Sequence, residues 1–252
     1  MQDKLVALVT GANQGIGFEI AKMLVNNGFT VLVGSRSTER GEAAAVKLGP
    51  SAVAIQLDVT DHWSIAAAAE RVRVNYRRLD VLVQNAAIAT ATHGGFESGE
   101  ELAKASRPSV ASLDDVRAVW ETNVFGVLAV YQAMVPILRK TPNSRIINVS
   151  SGMGSLTLNS DPSFPLRPLF DVTYSASKTA LNALTLAMAI ELEAEGINVN
   201  AVSPGHTRTG LTGFFGTDTP EEGAAEAVRV ALLGSAGPTG TFTHASMGII
   251  PW

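Results

Sequence analysis

Short runs of aliphatic and β-branched residues alternate along the whole chain with longer, Ala-rich segments of mixed polarity. The short runs predict strands at 4–10, 30–35, 52–57, 79–83, 145–150, 197–203 and 240–243. The longer segments predict helices at 15–27, 38–48, 64–76, 113–139, 173–195 and 220–233. Strands that alternate with helices pair in parallel, because each return needs a crossover. The pattern therefore predicts an α/β protein with a doubly wound parallel sheet and helices on both faces. The strand runs lack a clean two-residue alternation, as expected of strands covered on both sides.

No linker, repeat or low-complexity tract divides the sequence, so residues 1–252 read as a single domain. Three irregular stretches, 89–112, 153–172 and 204–219, each follow the carboxyl end of a predicted strand. Open α/β sheets bind ligands at that edge. Composition narrows the function classes. Of 252 residues, 46% are hydrophobic, which sets disorder aside. The net charge is −4, with no Lys/Arg block, which argues against nucleic acid or an anionic membrane as partner. No cysteine is present, and His62, His93, His206 and His244 are scattered, so no metal site is expected. The start does not read as a signal peptide, and the apolar run 180–192 is broken by Asn182, Thr185 and Glu191. A soluble, cytoplasmic protein is expected.

The first predicted strand runs into Thr10-Gly11-Ala12-Asn13-Gln14-Gly15-Ile16-Gly17, and a helix follows at once. Glycines there allow a tight turn and a close backbone approach to a pyrophosphate. The helix start adds free N–H groups and a positive dipole end. A plain strand–helix turn has the same composition, but the place, the first βα junction, favours a nucleotide. The second strand ends Ser35-Arg36 with no acid before Glu39. An acid there usually holds a ribose 2′-hydroxyl, whereas a guanidinium suits a 2′-phosphate. NADP(H) is therefore expected over NAD(H), a solvated surface Arg36 being the plain alternative.

Tyr174 and Lys178 stand four apart in a predicted helix and so share one face. A neighbouring ammonium favours a phenolate and is expected to draw the tyrosine toward working pH. Such a pair alone is commonly structural. Its company is not: the chain also holds Asp58-Val59, Gln84-Asn85-Ala86-Ala87, Asn123, Ser150-Ser151 and Pro204-Gly205, in order, on the predicted elements. With these motifs the sequence resembles the short-chain dehydrogenase/reductase family over essentially its whole length. Its tail, Gly240-Thr241-Phe242 with Pro251-Trp252, is similar to that of carbonyl-reductase-type members.

The resemblance implies a Rossmann-type fold with Tyr174 as general acid/base. It implies that Lys178 holds the nicotinamide ribose, Ser151 bonds the substrate oxygen, and Asn123 steadies a relay water. Ser150 is set aside for catalysis, since neighbours on a strand face opposite ways. Cofactor contacts are implied for Gly11, Asn13, Gln14, Gly15, Ile16 and Gly17, and for Ser35 and Arg36. Further contacts are implied for Asp58 and Val59 (adenine), Asn85, Ala86, Tyr174, Lys178, Pro204, Gly205, Thr207 and Thr209. Reduction of a ketone or aldehyde small molecule to an alcohol, reversibly, is the expected activity. A catalytically silent NADP-binding sensor on the same fold is the alternative; such proteins usually lack the Tyr–Lys pair. A halohydrin-dehalogenase-like activity would abandon the glycine turn and replace the lysine. An enoyl reductase would space Tyr and Lys more widely.

Three departures stand out. Gln84 and Ala87 replace the family's usual Asn and Gly, and Gln14 stands where many NADP-dependent relatives have Arg or Lys. The Ser151–Tyr174 separation of 23 is longer than is common in the family. Its extra segment holds Pro162, Pro165 and Pro168, which disfavour a long helix. Members with inserts here are often monomeric, so a monomer is expected ahead of a homo-oligomer. Phe214 and Phe215, flanked by glycines, are read as lid or pocket, with His93 and Phe96 approaching the same pocket. His206 is read as a pocket wall or surface group. Arg71, Arg73, Arg77 and Arg78 are read as a solvated helix end.

Overall fold

A computed structural model describes residues 4–92 and 98–252. Its strands are Val6–Val9 (β1), Thr30–Ser35 (β2), Ala52–Gln56 (β3), Val81–Gln84 (β4), Arg145–Val149 (β5), Asn198–Ser203 (β6), Phe242–His244 (β7) and Gly248–Ile249 (β8). They form one sheet in the order β3-β2-β1-β4-β5-β6-β7-β8. All neighbours pair in parallel except β7 and β8, which are antiparallel.

The helices follow from capping and apolar spacing. Gly15–Asn26 (α1), Thr38–Leu48 (α2) and Pro220–Ala231 (α9) cover one face. His62–Asn75 (α3), Gly126–Leu138 (α6) and Tyr174–Leu192 (α8) cover the other. Ser37 and Asp61 accept a backbone N–H at the starts of α2 and α3. Thr219 and Glu222 form a reciprocal capping pair at α9. Along β1, Val6 and Leu8 join the α3/α6/α8 core while Ala7 and Val9 join the α1/α2/α9 core. The strand alternation is intact, but both sides are apolar, so it cannot be seen as alternating hydropathy.

The structure changes three expectations. The single helix at 113–139 is instead Leu113–Trp120 (α5), a π-helical turn at Glu121–Phe125, and α6. The π turn holds one extra residue, and Gly126, where a Cβ would press on the Val59 carbonyl, lets the chain pass close to the end of β3. The stretch 89–112 is not all irregular: Gly99–Ala105 (α4) is a short helix capped by Ser98, which accepts from Glu101 N. The insert before α8 holds one short helix, Leu156–Ser160 (α7), and a 3₁₀ turn at Arg167–Leu169, as its prolines require. By length and composition Leu113–Leu138 is apolar enough to span a membrane. Its Val127, Val130, Met134 and Leu138 instead pack into the sheet core.

Candidate active site

The strand order reverses between β1 and β4, and the crevice at that switch point is walled by the turns that follow them. Gly11 and Gly15 both adopt left-handed backbone, φ +64° and +58°. A Cβ on Gly11 would meet Ala86 Cα at 3.0 Å, and one on Gly17 would strike the Asn85 side chain and the Gly11 carbonyl. At Gly15 a Cβ would meet only the Thr209 side chain, at 3.5 Å. Gln14 sits at the N-cap of α1 without making a cap hydrogen bond, so no side chain closes this helix start. A glycine cradle below an uncapped helix N-terminus fits a pyrophosphate. Thr10, which sequence reasoning passed over, joins the two walls. Its hydroxyl accepts from Asn85 N and Ala86 N at 2.9 and 3.0 Å, and its carbonyl accepts from Asn85 Nδ2 at 3.0 Å.

At the β2 end Arg36 is exposed and makes no ion pair among the described residues. Ser35 is buried, its hydroxyl donating to the Ser37 carbonyl at 2.8 Å, so it shapes this corner from behind. Asp58 accepts from Thr60 N and Thr60 Oγ1 through one oxygen, and the second makes no hydrogen bond within the described residues. Val59 is buried beside it.

Ser151, Tyr174 and Lys178 converge at the carboxyl edge of β5. Gly154 makes this possible: a Cβ there would lie 2.7 Å from the Lys178 carbonyl carbon, so only glycine lets the chain after Ser151 lie on α8. The Ser151 hydroxyl accepts from Met153 N at 3.2 Å and lies close enough to the Tyr174 phenol to act on its acidity. Lys178 Nζ lies 5.7 Å from the Tyr174 ring centroid and donates to the Val149 carbonyl at 2.9 Å. Ser150 turns the other way, donating to Asn182 Oδ1 at 2.5 Å.

Burial sets the acidities here. It pushes the Tyr174 phenol up to about 12; the nearby Ser151 hydroxyl works against this and the Asp171 carboxylate adds to it. Burial also brings Lys178 down to about 7. The expectation that Lys178 draws the phenol toward neutrality is thus corrected for the cofactor-free cleft. The lysine is itself desolvated, and its charge is half lost near neutrality.

Asn123, fully buried in the π turn, spends its side chain on protein partners. Nδ2 donates to the Ile88 carbonyl at 2.9 Å and to Ser177 Oγ at 3.0 Å, and Oδ1 accepts from Ile88 N at 2.9 Å. The side chain ties the turn after β4 to α8 and has no donor left for a water. Gln84 is buried too, with Nε2 on Asn148 Oδ1 at 3.1 Å.

Residues 204–219 fold over the glycine turn. Pro204 and Gly205 follow β6 directly, and Thr207 is buried with its hydroxyl on the Pro204 carbonyl. Thr209 faces Gly15, Ile16 and Asn13 are partly exposed, and His206 is exposed. Phe214, at φ +64°, and Phe215 are 68% and 57% exposed, more open than packed wall residues would be. His93 and Phe96 lie outside the described residues. The arginine cluster is not all solvated: Arg78 pairs with Asp80, whose buried carboxylate also accepts from Val6 N at 2.8 Å and so pins β1.

Residues 5–219 match the short chain dehydrogenase family. The chain is 36% identical to a short-chain dehydrogenase, anuI, of Penicillium roqueforti, over 92% of this chain and 90% of that one. It is 31% identical to salutaridine reductase of Papaver somniferum, over 95% and 94%. The solved structure of that reductase superposes with a TM-score of 0.80 at 29% identity, covering 95% of this chain and 99% of the other. An NADPH-bound carbonyl reductase from chicken fatty liver superposes at 0.81 with 27% identity, covering 99% and 95%. The chain belongs to the short-chain dehydrogenase/reductase family of nicotinamide-dependent oxidoreductases.

Proposed function

We propose that this oxidoreductase reduces ketones or aldehydes to alcohols, reversibly, with NADPH, and acts as one catalytic domain. The meeting of Ser151, Tyr174 and Lys178 beside an uncapped glycine turn carries the reading. The nicotinamide cofactor supplies the hydride when bound. Gly11, Gly15 and Gly17 with the α1 N-terminus hold its pyrophosphate; Arg36 takes the 2′-phosphate, and Asp58 and Val59 border the adenine. As charge grows on the carbonyl oxygen, Ser151 and Tyr174 donate hydrogen bonds to it, and Tyr174 gives up its proton. Lys178, held by the Val149 carbonyl, stabilises the phenolate that results. Asn123 acts by fixing the π turn against Ile88 and Ser177.

The intact Tyr174–Lys178 pair supports an enzyme over a silent sensor. The test is oxidation of NADPH and NADH, followed by absorbance, with a panel of small, bulky and aryl carbonyls and Tyr174→Phe as control. Turnover that prefers NADPH and collapses in the variant supports the reading. Tight NADPH binding with no turnover on any carbonyl overturns it in favour of a sensor. We further propose a monomer, on account of the insert before α8; a stable tetramer on gel filtration sinks that.

A further inference from the structure

Asp171 ends the insert between Ser151 and α8, and its carboxylate is buried. Oδ1 accepts from Thr173 N at 2.8 Å and from Tyr174 N at 2.7 Å. Oδ2 accepts from Ser175 Oγ at 2.8 Å and, at 3.4 Å, from Ser175 N. Thr173, the residue before α8, already has helical backbone and makes no cap hydrogen bond of its own. The open N–H groups of α8 therefore end on one anion two residues upstream, which the helix dipole favours.

What sets this cap apart is the residue it holds. Tyr174 is the first residue of α8, so Asp171 is bonded to the backbone of the tyrosine that faces Ser151. The segment is anchored on both sides of the cap: Val172 N donates to the Ser106 carbonyl at 3.1 Å, and Trp120 Nε1 donates to the Val172 carbonyl at 3.3 Å. The insert's last residues and the start of the helix thus form one fixed corner.

We propose that Asp171 is a positioning residue for the reaction: through the start of α8 it fixes Tyr174 against Ser151, and it sets a carboxylate charge at the end of the helix that carries the phenol. The proposal rests on the reading of Tyr174 as proton donor given above. Among the described residues, three groups bear on the phenol. Ser151 comes from the end of β5, Lys178 from α8 itself, and Asp171 from the insert. The π turn and α5 present neutral Asn123 and Trp120 to this end of the helix. Burial brings Lys178 down to about 7, so in alkaline solution Asp171 is the one charged group of the three described residues that bear on the phenol. A proton donor gains from this, because it stays loaded when the medium turns basic.

Charge and capping separate by substitution. Asp171→Asn keeps an acceptor for the helix start but removes the charge. Asp171→Glu keeps the charge and moves the acceptor, and Ser175→Ala removes one hydrogen bond only. The chain has three tyrosines, so subtracting the same protein carrying Tyr174→Phe isolates this phenol in ultraviolet difference titrations. The titration uses cofactor-free protein, with circular dichroism to follow the fold. Loss of this charge is expected to lower the phenol by up to about one pH unit, at most a tenfold change in proton affinity. The expected result is an early ionisation in Asp171→Asn and a wild-type-like one in Asp171→Glu and Ser175→Ala. The alkaline limb of carbonyl reduction moves down in step in Asp171→Asn, with KM for the cofactor unchanged. Coincident titrations of wild type and Asp171→Asn overturn the proposal, as does an early ionisation in Asp171→Glu. Absence of turnover on every carbonyl would refute the reductase reading instead, and would leave the titration standing.

Discussion

Gly154 and Lys178 meet backbone to backbone: a Cβ on Gly154 would lie 2.9 Å from the Lys178 carbonyl oxygen. Neither the oxygen nor the helix that carries it can move aside cheaply. Gly154→Ala is therefore expected to lift the chain after Ser151 off α8. Overpacking of this kind costs about 1–3 kcal/mol of stability, read as a lower urea midpoint. Misplacing the reacting groups by about 1 Å costs on the order of a hundredfold in kcat. The glycine turn does not touch Gly154, so the Kd for NADPH should change far less than kcat. A variant that loses stability but keeps full kcat would show that the close approach does not set the site.

Lys178 gives a pH prediction with a definite sign. Its pKa falls from 10.5 in the open chain to about 7 in the fold. Below pH 7 both states carry the charge, and the fold bears the full cost of burying it. Between 7 and 10.5 the folded lysine is neutral while the unfolded one is still charged, so stability rises with pH. Above 10.5 the effect is gone. The gap corresponds to roughly 5 kcal/mol at its largest, at about 1.4 kcal/mol for each pH unit. Lys178→Met should abolish turnover and yet melt higher than wild type at pH 6. The advantage should shrink steadily toward pH 10; a pH-independent difference would contradict the buried charge.

Much of this arrangement can be read from the chain, and the exceptions share a cause. Each predicted strand finds its counterpart, because its run is too short for a helix and rich in β-branched residues, which decides between strand and buried helix. The glycine turn and the Tyr174–Lys178 pair are legible because close approach and helical spacing restrict residue type. The π turn at Asn123 leaves no such mark, since one extra residue in a helix preserves its apolar stripe. α4 is different: Ser98 followed by Glu101 is a helix-start pattern that was open to reading. The Tyr174 acidity was misjudged because proximity to Lys178 is visible in spacing, whereas desolvation of both groups depends on everything packed around them.

Asn123 is fully buried with both donors and its acceptor engaged. Truncation to Ala strands the Ile88 N–H and carbonyl together; a fully buried unpaired group costs about 1–3 kcal/mol, and half-buried Ile88 recovers part of that from water. The expected loss in chemical denaturation is about 2–4 kcal/mol with an unchanged slope, less if water fills the gap. Activity should fall further than stability explains, because Ser177 donates to the Tyr174 carbonyl and the turn after β4 walls the cleft. Unaltered stability would mean that the π turn holds its shape without the side chain.

Arg36 gives a test of the proposed preference for NADPH. It is exposed and unpaired among the described residues, so Arg36→Ala should leave the unfolding midpoint where it is. A charge-assisted contact to a 2′-phosphate is worth about 1.5–3 kcal/mol, or roughly a ten- to 150-fold rise in the Kd for NADPH. NADH has a hydroxyl at that position and should bind both proteins alike. Salt separates charge from shape: added salt should weaken NADPH binding to wild type more than to Arg36→Ala, because exposed charges are screened within about 10 Å at 0.1 M. Gln14, at the N-cap of α1, is uncharged and so offers the 2′-phosphate no ion pair in place of Arg36. Fluorescence titration of both cofactors against both proteins reads the whole cycle. Equal losses for NADPH and NADH would place Arg36 in general cofactor binding and remove the ground for NADPH preference.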